Sequence, residues 1–407
     1  MLQGLARASL EVRHMRRDAM HGTLLLMGSG ETSPTMVEVH RAAISGLGAK
    51  PRAVLLDTPY AFQENVAEIS ARACQYFARS VGLDVEVNGV VAGADWVFCG
   101  PGSPTYALDR WAGGSAMADL LARVRAREGV TVFASAAACT AGVATVPVYE
   151  IYKVGAEPYW REGVDLLGAV GLNAVVIPHY DNAEGGTHDT RFCYLGERRL
   201  SLMERELSVG TGILGIDEHT ALVIDLVDER VRVAGRGGVT VRTRGGQSVL
   251  PAGATATLAE LRELLLGEGR FVAPAVPEVV AAQRTLGEIV EACEQSFAAA
   301  LGSDDVSAAT RTVLRLEEDI AGWSADTEQD DGGPLQARDV LRRLIASLAA
   351  HTGQRVVARI VPPLLAVREK FRCEGAYEGA DAVRDALAEG GVRVEDTADG
   401  PRWSLLP

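Results

Sequence analysis

No run of about 18 apolar residues occurs in this 407-residue chain, so a membrane-spanning helix is not expected. Basic charge is in short supply: 40 Lys and Arg face 54 Asp and Glu, for a formal charge of -14. A nucleic-acid-binding protein normally presents a basic face, so this acidity argues against that class while leaving room for a local patch. The six cysteines, Cys74, Cys99, Cys139, Cys193, Cys293 and Cys373, include no C-x-x-C pair. A disulfide scaffold or Cys-based zinc site is therefore not expected, and the scatter suits reduced thiols in a cytoplasmic protein. Residues 1–21 lack the apolar centre of about 7–15 residues that a signal peptide needs. They are read as a leader, or as a stretch ahead of translation from Met20. No internal repeat is found. What is present, 47% hydrophobic and 23% charged residues, is ordinary for a globular protein. The length exceeds one usual core, which points to two domains.

From Gly22 to about Glu268, short apolar runs alternate with helical patterns. That alternation marks an α/β domain, a mostly parallel sheet flanked by helices. "TLLLMGSGE", "RAVLLDTP", "DWVFCGPG", "GVTVFASA" and "NAVVIPHY" each read as a buried strand ending in a Gly, Pro or polar turn. Ligands of open α/β sheets bind beyond the carboxyl ends of the strands, so the polar residues just after these runs are the places to look for chemistry. Between Thr220 and Leu250 the pattern shortens to alternating segments, hairpins that extend or flank the sheet. Prolines in "RFVAPAVPEV" mark a boundary. Residues 273–407 then form a second, helical domain, with "WSADTEQDDGGP" as an acidic loop inside it.

The apolar run "TVFASAAACTAGVATVP" ends in a cluster of possible nucleophiles: Ser135, Cys139 and Thr140. An elbow that exposes a nucleophile between a strand and a helix needs small residues two before and two after it, because the two elements cross closely there. Ser135 has Phe133 and Ala137 at those positions, Cys139 has Ala137 and Ala141, and Thr140 has Ala138 and Gly142. Local sterics alone favour the later two.

"SAAACTAG" resembles the S-A-G-A-x-x-x-G elbow of the peptidase E and cyanophycinase family of serine hydrolases, a branch of the glutamine-amidotransferase-like fold. "LLLMGSGETS", "VFCGPGSPTYALDRW", "VVIPHY" and "LGIDEHTALVIDL" are similar, in order, to other segments of that family. The resemblance covers roughly residues 22–255. It departs at Phe133, where a glycine is usual, and at Ala137, which replaces the elbow glycine. It implies Ser135 as nucleophile, His179 as base and a carboxylate shortly after the nucleophile, for which Glu150 is the candidate. The backbone amides of Gly102 and Ala136 are the expected oxyanion donors; Pro101 has no N–H, which leaves Gly102 and Ser103 in that loop.

The segment after His179, "YDNAEGGTHDTRFCYLGERRL", is rich in charged and amide groups. Asp181, Asn182, Glu184, His188, Asp189 and Arg191, together with Glu31 in the first loop, are the candidate substrate-binding residues for a small polar peptide or amide. Tyr60, Gln63 and Asn65 sit at another strand end and are candidates for the pocket wall. His179, Asp181, His188 and Asp189 match no familiar zinc spacing, so no metal or other cofactor is expected.

The C-terminal end, "REKFRCEGAYEGADAVRDALAEGGVRVEDTADGPRW", resembles the end of cysteinyl-tRNA synthetases, without their H-I-G-H or K-M-S-K-S signatures. That resemblance implies tRNA as a partner, whereas the excess of acidic over basic residues beyond Phe271 disfavours it. The function expected is hydrolysis of a peptide or amide bond through an acyl-enzyme. Two alternatives stand: a tRNA- or cysteine-dependent acyl- or amidotransferase using Cys139, and a non-catalytic binding protein with a degenerate elbow. Oligomeric state is not legible.

Overall fold

The computed structural model describes residues 22–112, 114–185, 187–269, 271, 284–323, 333–397 and 400–405. The leader, most of the proline-marked boundary and most of the acidic loop lie outside them. Two compact units are formed: of the described residues, the first takes those up to Thr285 together with Gly322 and Trp323, and the second takes Leu286–Ala321 and those from Gly333 onward.

The strands of the first unit begin with β1 (Thr23–Met27), β2 (Ala53–Leu56), β3 (Val85–Val87), β4 (Trp96–Cys99) and β5 (Val130–Ala134). A short pair, β6 (Ala144–Thr145) and β7 (Arg161–Glu162), precedes β8 (Ala174–Ile177) and β9 (Gly212–Ile216). β10 (Thr220–Asp225), β11 (Arg230–Gly235), β12 (Gly238–Thr243), β13 (Gly246–Pro251) and β14 (Thr255–Thr257) complete the set. Eight of them form one sheet in the order β14-β11-β10-β1-β5-β4-β2-β3. The half from β1 to β3 is parallel, and β10, β11 and β14 extend it antiparallel. A second sheet, β13-β12-β9-β8, carries the strand that leads to His179. The segment from Thr220 to Leu250 thus divides between the two sheets.

Continuous apolar runs become strands here because both faces of the main sheet are covered. Side chains alternate, so Leu24, Leu26, Val97 and Phe133 enter one core while Leu25, Met27, Trp96, Phe98 and Val132 enter the other. All of these are essentially excluded from solvent.

The second core encloses His40, fully buried against the rings of Tyr76, Phe77, Trp96 and Phe98. Its Nε2–H donates to the carbonyl of Glu31 (2.7 Å), while Nδ1 has no partner. Burial lowers its pKa from 6.5 to about 4, against the backbone hydrogen bond, which raises it. The unfolded chain therefore takes up this proton first, and stability falls as pH drops from 6.5 towards 4. Relative to His40→Met, which cannot titrate, the wild-type protein should lose about 3 kcal/mol over that interval. Urea unfolding of both proteins at neutral pH and near pH 4 measures the difference; parallel pH profiles would remove His40 as the cause.

The second unit contains the helices Leu286–Gly302, Val306–Trp323 except for its last two residues, Gly333–Cys373 and Tyr377–Glu389, followed by a hairpin of β15 (Val392–Thr397) and β16 (Gly400–Leu405). The hairpin adds strands to what reads from periodicity as a purely helical region. The long helix runs through Pro362 and Pro363, and buried Val361 and Leu365 meet Leu387 and Val392 in a small core. Arg368, itself buried, donates from both terminal nitrogens to Asp396 (2.7 and 2.8 Å), which ties the helix to the E-D-T segment of the hairpin.

Candidate active site

Ser135 follows the last residue of β5 and precedes the short helix Ala136–Thr140. Its backbone lies at φ 47, ψ -115, outside the ordinary regions for a residue with a side chain. Such a conformation costs of order 1–3 kcal/mol and persists only where the surroundings enforce it. Here the Ser135 amide donates to Met27 O on β1 (3.0 Å), and that of Ala137 donates to Gly100 O beyond β4 (3.2 Å).

The two departures at the elbow are accommodated. Phe133 turns into the core against Trp111, and Ala137 packs into the same cluster. The close crossing that demands glycine falls at Gly142, where a Cβ would stand 2.4 Å from the Ala174 carbonyl on β8.

Ser135 Oγ lies 3.0 Å from His179 Nε2, and His179 Nδ1 lies 2.9 Å from Glu218 Oε1. A carboxylate only accepts, so Nδ1 carries the hydrogen and the neutral ring leaves Nε2 free to accept the serine proton. His179 stands at φ 47 just past β8. Glu218 lies in the turn between β9 and β10. Burial pushes its pKa up, but the hydrogen bonds from His179 and Asn182 outweigh it and hold the carboxyl below its ordinary range. Asn182 donates to the same oxygen (3.0 Å), and Asp181 accepts the Glu218 amide (2.7 Å).

The carboxylate expected at Glu150 is therefore corrected to Glu218. Glu150 opens a short π-helical turn, and its Oε1 accepts from the Thr105 hydroxyl at 2.7 Å. That bond directs it towards the helix Pro104–Trp111 rather than towards the His179 Nδ1 that Glu218 occupies.

Cys139 lies one helical turn beyond Ser135, its sulfur 3.7 Å from Val146 O, and burial pushes the thiol up to about 12. A protonated, buried thiol is a poor nucleophile. The Thr140 hydroxyl is spent on Ala137 O (2.7 Å). Ser135 is the member of the trio with a base in reach.

Ser135 and His179 open on a cavity of about 480 Å³ whose wall includes Gly102 and Ala136. The amide of Ser103 is used on Pro59 O (2.8 Å), which leaves Gly102 as the donor of that loop. Gly102 has φ +129, and a Cβ there would lie 2.1 Å from Pro59 O. Ala136 begins its helix, where an N–H has no carbonyl one turn back to serve.

The remaining candidates separate by position. Glu184 and His188 line the cavity, the first accepting from the Tyr194 hydroxyl (2.8 Å), the second 3.3 Å from that of Tyr152. Asp181 and Asn182 brace Glu218 instead of facing substrate. Asp189 and Arg191 pair with each other on the surface (2.8 Å) and take no part in the cavity wall. Glu31 is wholly buried, and Ser29 takes the place in the wall that was assigned to it. Of the other strand-end candidates, Tyr60 and Gln63 line the cavity and Asn65 does not. Sequence reasoning missed Glu218, Arg72, Lys153 and the tyrosines at 149, 152 and 194. Phe192, Cys193 and Tyr194 all have φ near +60, a turn that brings Tyr194 back to the histidine. Among the described residues, no group of three or more His, Cys, Asp or Glu is placed to hold a metal, and no helix is long and apolar enough to cross a membrane.

No family model matches the chain. It is 50% identical over 52 residues to a cysteine--tRNA ligase of Nocardioides sp., which covers 13% of this chain and 11% of that protein. It is 35% identical over 122 residues to a cysteine--tRNA ligase of Pseudarthrobacter chlorophenolicus, covering 27% of this chain and 25% of that protein. The chain thus spans a quarter or less of the length of these two relatives. Among solved structures, a peptidase from an acI-B1 Actinobacterium superposes with a TM-score of 0.45 at 21% identity, over 59% of this chain and 98% of that one.

Proposed function

We infer that the first unit is a serine hydrolase that cleaves a peptide or amide bond of a small polar substrate through an acyl-enzyme. The observation that carries this reading is the relay of 3.0 and 2.9 Å from Ser135 through His179 to Glu218, mounted on a strained residue at a strand tip and open to a cavity. In this mechanism Ser135 Oγ attacks the substrate carbonyl as Nε2 of His179 takes its proton. The oxyanion that forms is met by the amides of Gly102 and Ala136. The imidazolium, held by Glu218, returns the proton to the leaving amine, and water then repeats the sequence to release the acid. The sequence resemblance supports an amide over other acyl bonds. A panel of aminoacyl and dipeptidyl p-nitroanilides tests it: wild type should release p-nitroaniline from at least one member and His179→Gln should not. Silence across the panel, with no phosphonylation of Ser135, would favour the binding-protein alternative.

For the second unit the reading is a domain with a weak phosphate grip, since acidic residues outnumber basic ones beyond Phe271 and many of its arginines are already paired. Arg342, Arg343, Arg355, Arg368, Arg372 and Arg384 each pair with a carboxylate of the same unit. Binding that depends on neutralising phosphates needs such cations unspent. The full chain should therefore hold tRNA no more tightly than ordinary non-specific levels, roughly 10⁻⁴–10⁻⁶ M. Nanomolar, salt-sensitive retention of cysteine tRNA on filters would reverse this and revive the transferase alternative.

A further inference from the structure

We propose that His219 is a positioning residue, which fixes the Glu218 carboxylate for His179 by clamping the chain just after it to the loop beyond β1. His219 follows Glu218 in the turn between β9 and β10, and its backbone lies at φ 51, in the left-handed region that few residues with a side chain adopt. Its ring reaches the loop that follows β1. Nδ1 lies 2.9 Å from the Thr35 hydroxyl and 3.3 Å from that of Ser33. Gly30 makes room for the ring, since a Cβ there would stand 2.1 Å from Nδ1. The His219 amide donates to the Ser29 hydroxyl (3.4 Å), and its carbonyl accepts from the Arg236 amide (3.0 Å).

Counting hydrogens fixes the direction of these bonds. The Ser33 hydroxyl donates to Gly30 O (2.7 Å), so the 2.6 Å contact between the two hydroxyls is donated by Thr35. Thr35 then has only lone pairs to offer His219, and Nδ1 carries the hydrogen. The accepting loop is firmly held: Ser29, Thr32, Ser33 and Thr35 are buried, the Tyr76 hydroxyl donates to Ser33 O (2.9 Å), and His40 donates to Glu31 O. On the other side, Asp181 accepts the Glu218 amide. Glu218 is thus gripped through its own N–H and through the ring of the next residue, and this aims its carboxylate at His179 and Asn182.

The role rests on the reading of Glu218 as the relay carboxylate, and His219 also lines the cavity, so the test separates positioning from substrate contact. His219→Asn keeps a residue that tolerates positive φ but is too short to reach Thr35. Thr35→Val removes the accepting hydroxyl at nearly the same shape, and Thr35→Ser keeps it. Each is made in wild type and in Glu218→Gln, with melting temperatures to establish folding. On a responsive p-nitroanilide, His219→Asn and Thr35→Val should lower kcat roughly 10–100-fold with KM little changed, and Thr35→Ser should recover most of the rate. In Glu218→Gln neither should cost anything further, because the residue they act through is already lost. Proton NMR should show the low-field resonance of His179 Nδ1–H bonded to Glu218 in wild type and Thr35→Ser, and lose it in the other two. Wild-type kcat in both variants, a rise in KM alone, or an equal further loss in Glu218→Gln overturns the assignment. If wild type turns over no substrate, the hydrolase reading fails and the resonance decides: its loss in His219→Asn and Thr35→Val supports the clamp, and its absence from wild type or its persistence in every variant rejects it.

Discussion

Turnover should fall by roughly 10⁵–10⁶-fold when Ser135 is replaced by alanine, the scale on which loss of a nucleophile acts in other triads. The size of the effect follows from what remains. The Gly102 and Ala136 amides and the cavity still receive a substrate, but no group is left to form the acyl-enzyme. A water would have to enter where Oγ stood and be activated by a histidine placed for a side chain 3.0 Å away. His179→Gln should lose activity on a similar scale, and the double variant should lose little more than either alone, because the two act as a unit. Steady-state rates on a responsive p-nitroanilide, with melting curves to establish folding, read all three. A residual rate within tenfold of wild type in Ser135→Ala would place the nucleophile elsewhere.

Glu218→Gln is the second large effect, about 10⁴-fold in turnover. Glutamine is nearly the same shape, but its amide can present an N–H where the carboxylate presented a lone pair. A hydrogen donated to Nδ1 drives the ring hydrogen to Nε2, the nitrogen that must accept from Ser135. The imidazolium formed during attack also loses its counter-charge. Glu150→Gln keeps an oxygen for the Thr105 hydroxyl and should stay near wild type. Comparing the two variants under one assay separates the observed geometry from the family resemblance that pointed to Glu150. Equal losses in both, or a loss confined to Glu150→Gln, would count against Glu218.

The contrast between these glutamates marks the boundary of what sequence could supply. Ser135 was singled out by the family resemblance, against local sterics that favoured Cys139 and Thr140, and His179 by its place after an apolar strand together with that resemblance. Glu218 obeys the same rule at the end of β9, in the segment "LGIDEHTALVIDL". Its place in the chain, well after both partners, gives no hint that two sheets bring it to the histidine. Asn182 and Asp181 stand in the polar run after His179, where substrate contact and support of a carboxylate look alike until the backbone path is known. The strands of the main sheet were readable for an energetic reason, since burial on both faces requires unbroken apolar runs. The hairpin of β15 and β16 was not, because its alternating, half-exposed residues carry little of that signal.

Phosphonylation followed by peptide mapping tests the central claim most directly. Wild-type protein treated with a fluorophosphonate should gain the mass of one phosphonyl group per chain, and the modified peptide should carry it on Ser135. Ser135→Ala should gain none, and Glu218→Gln should be modified far more slowly than Glu150→Gln. An adduct on Cys139, or a wild-type protein that remains unmodified while folded, would contradict the assignment of Ser135 as a nucleophile activated through His179 and Glu218.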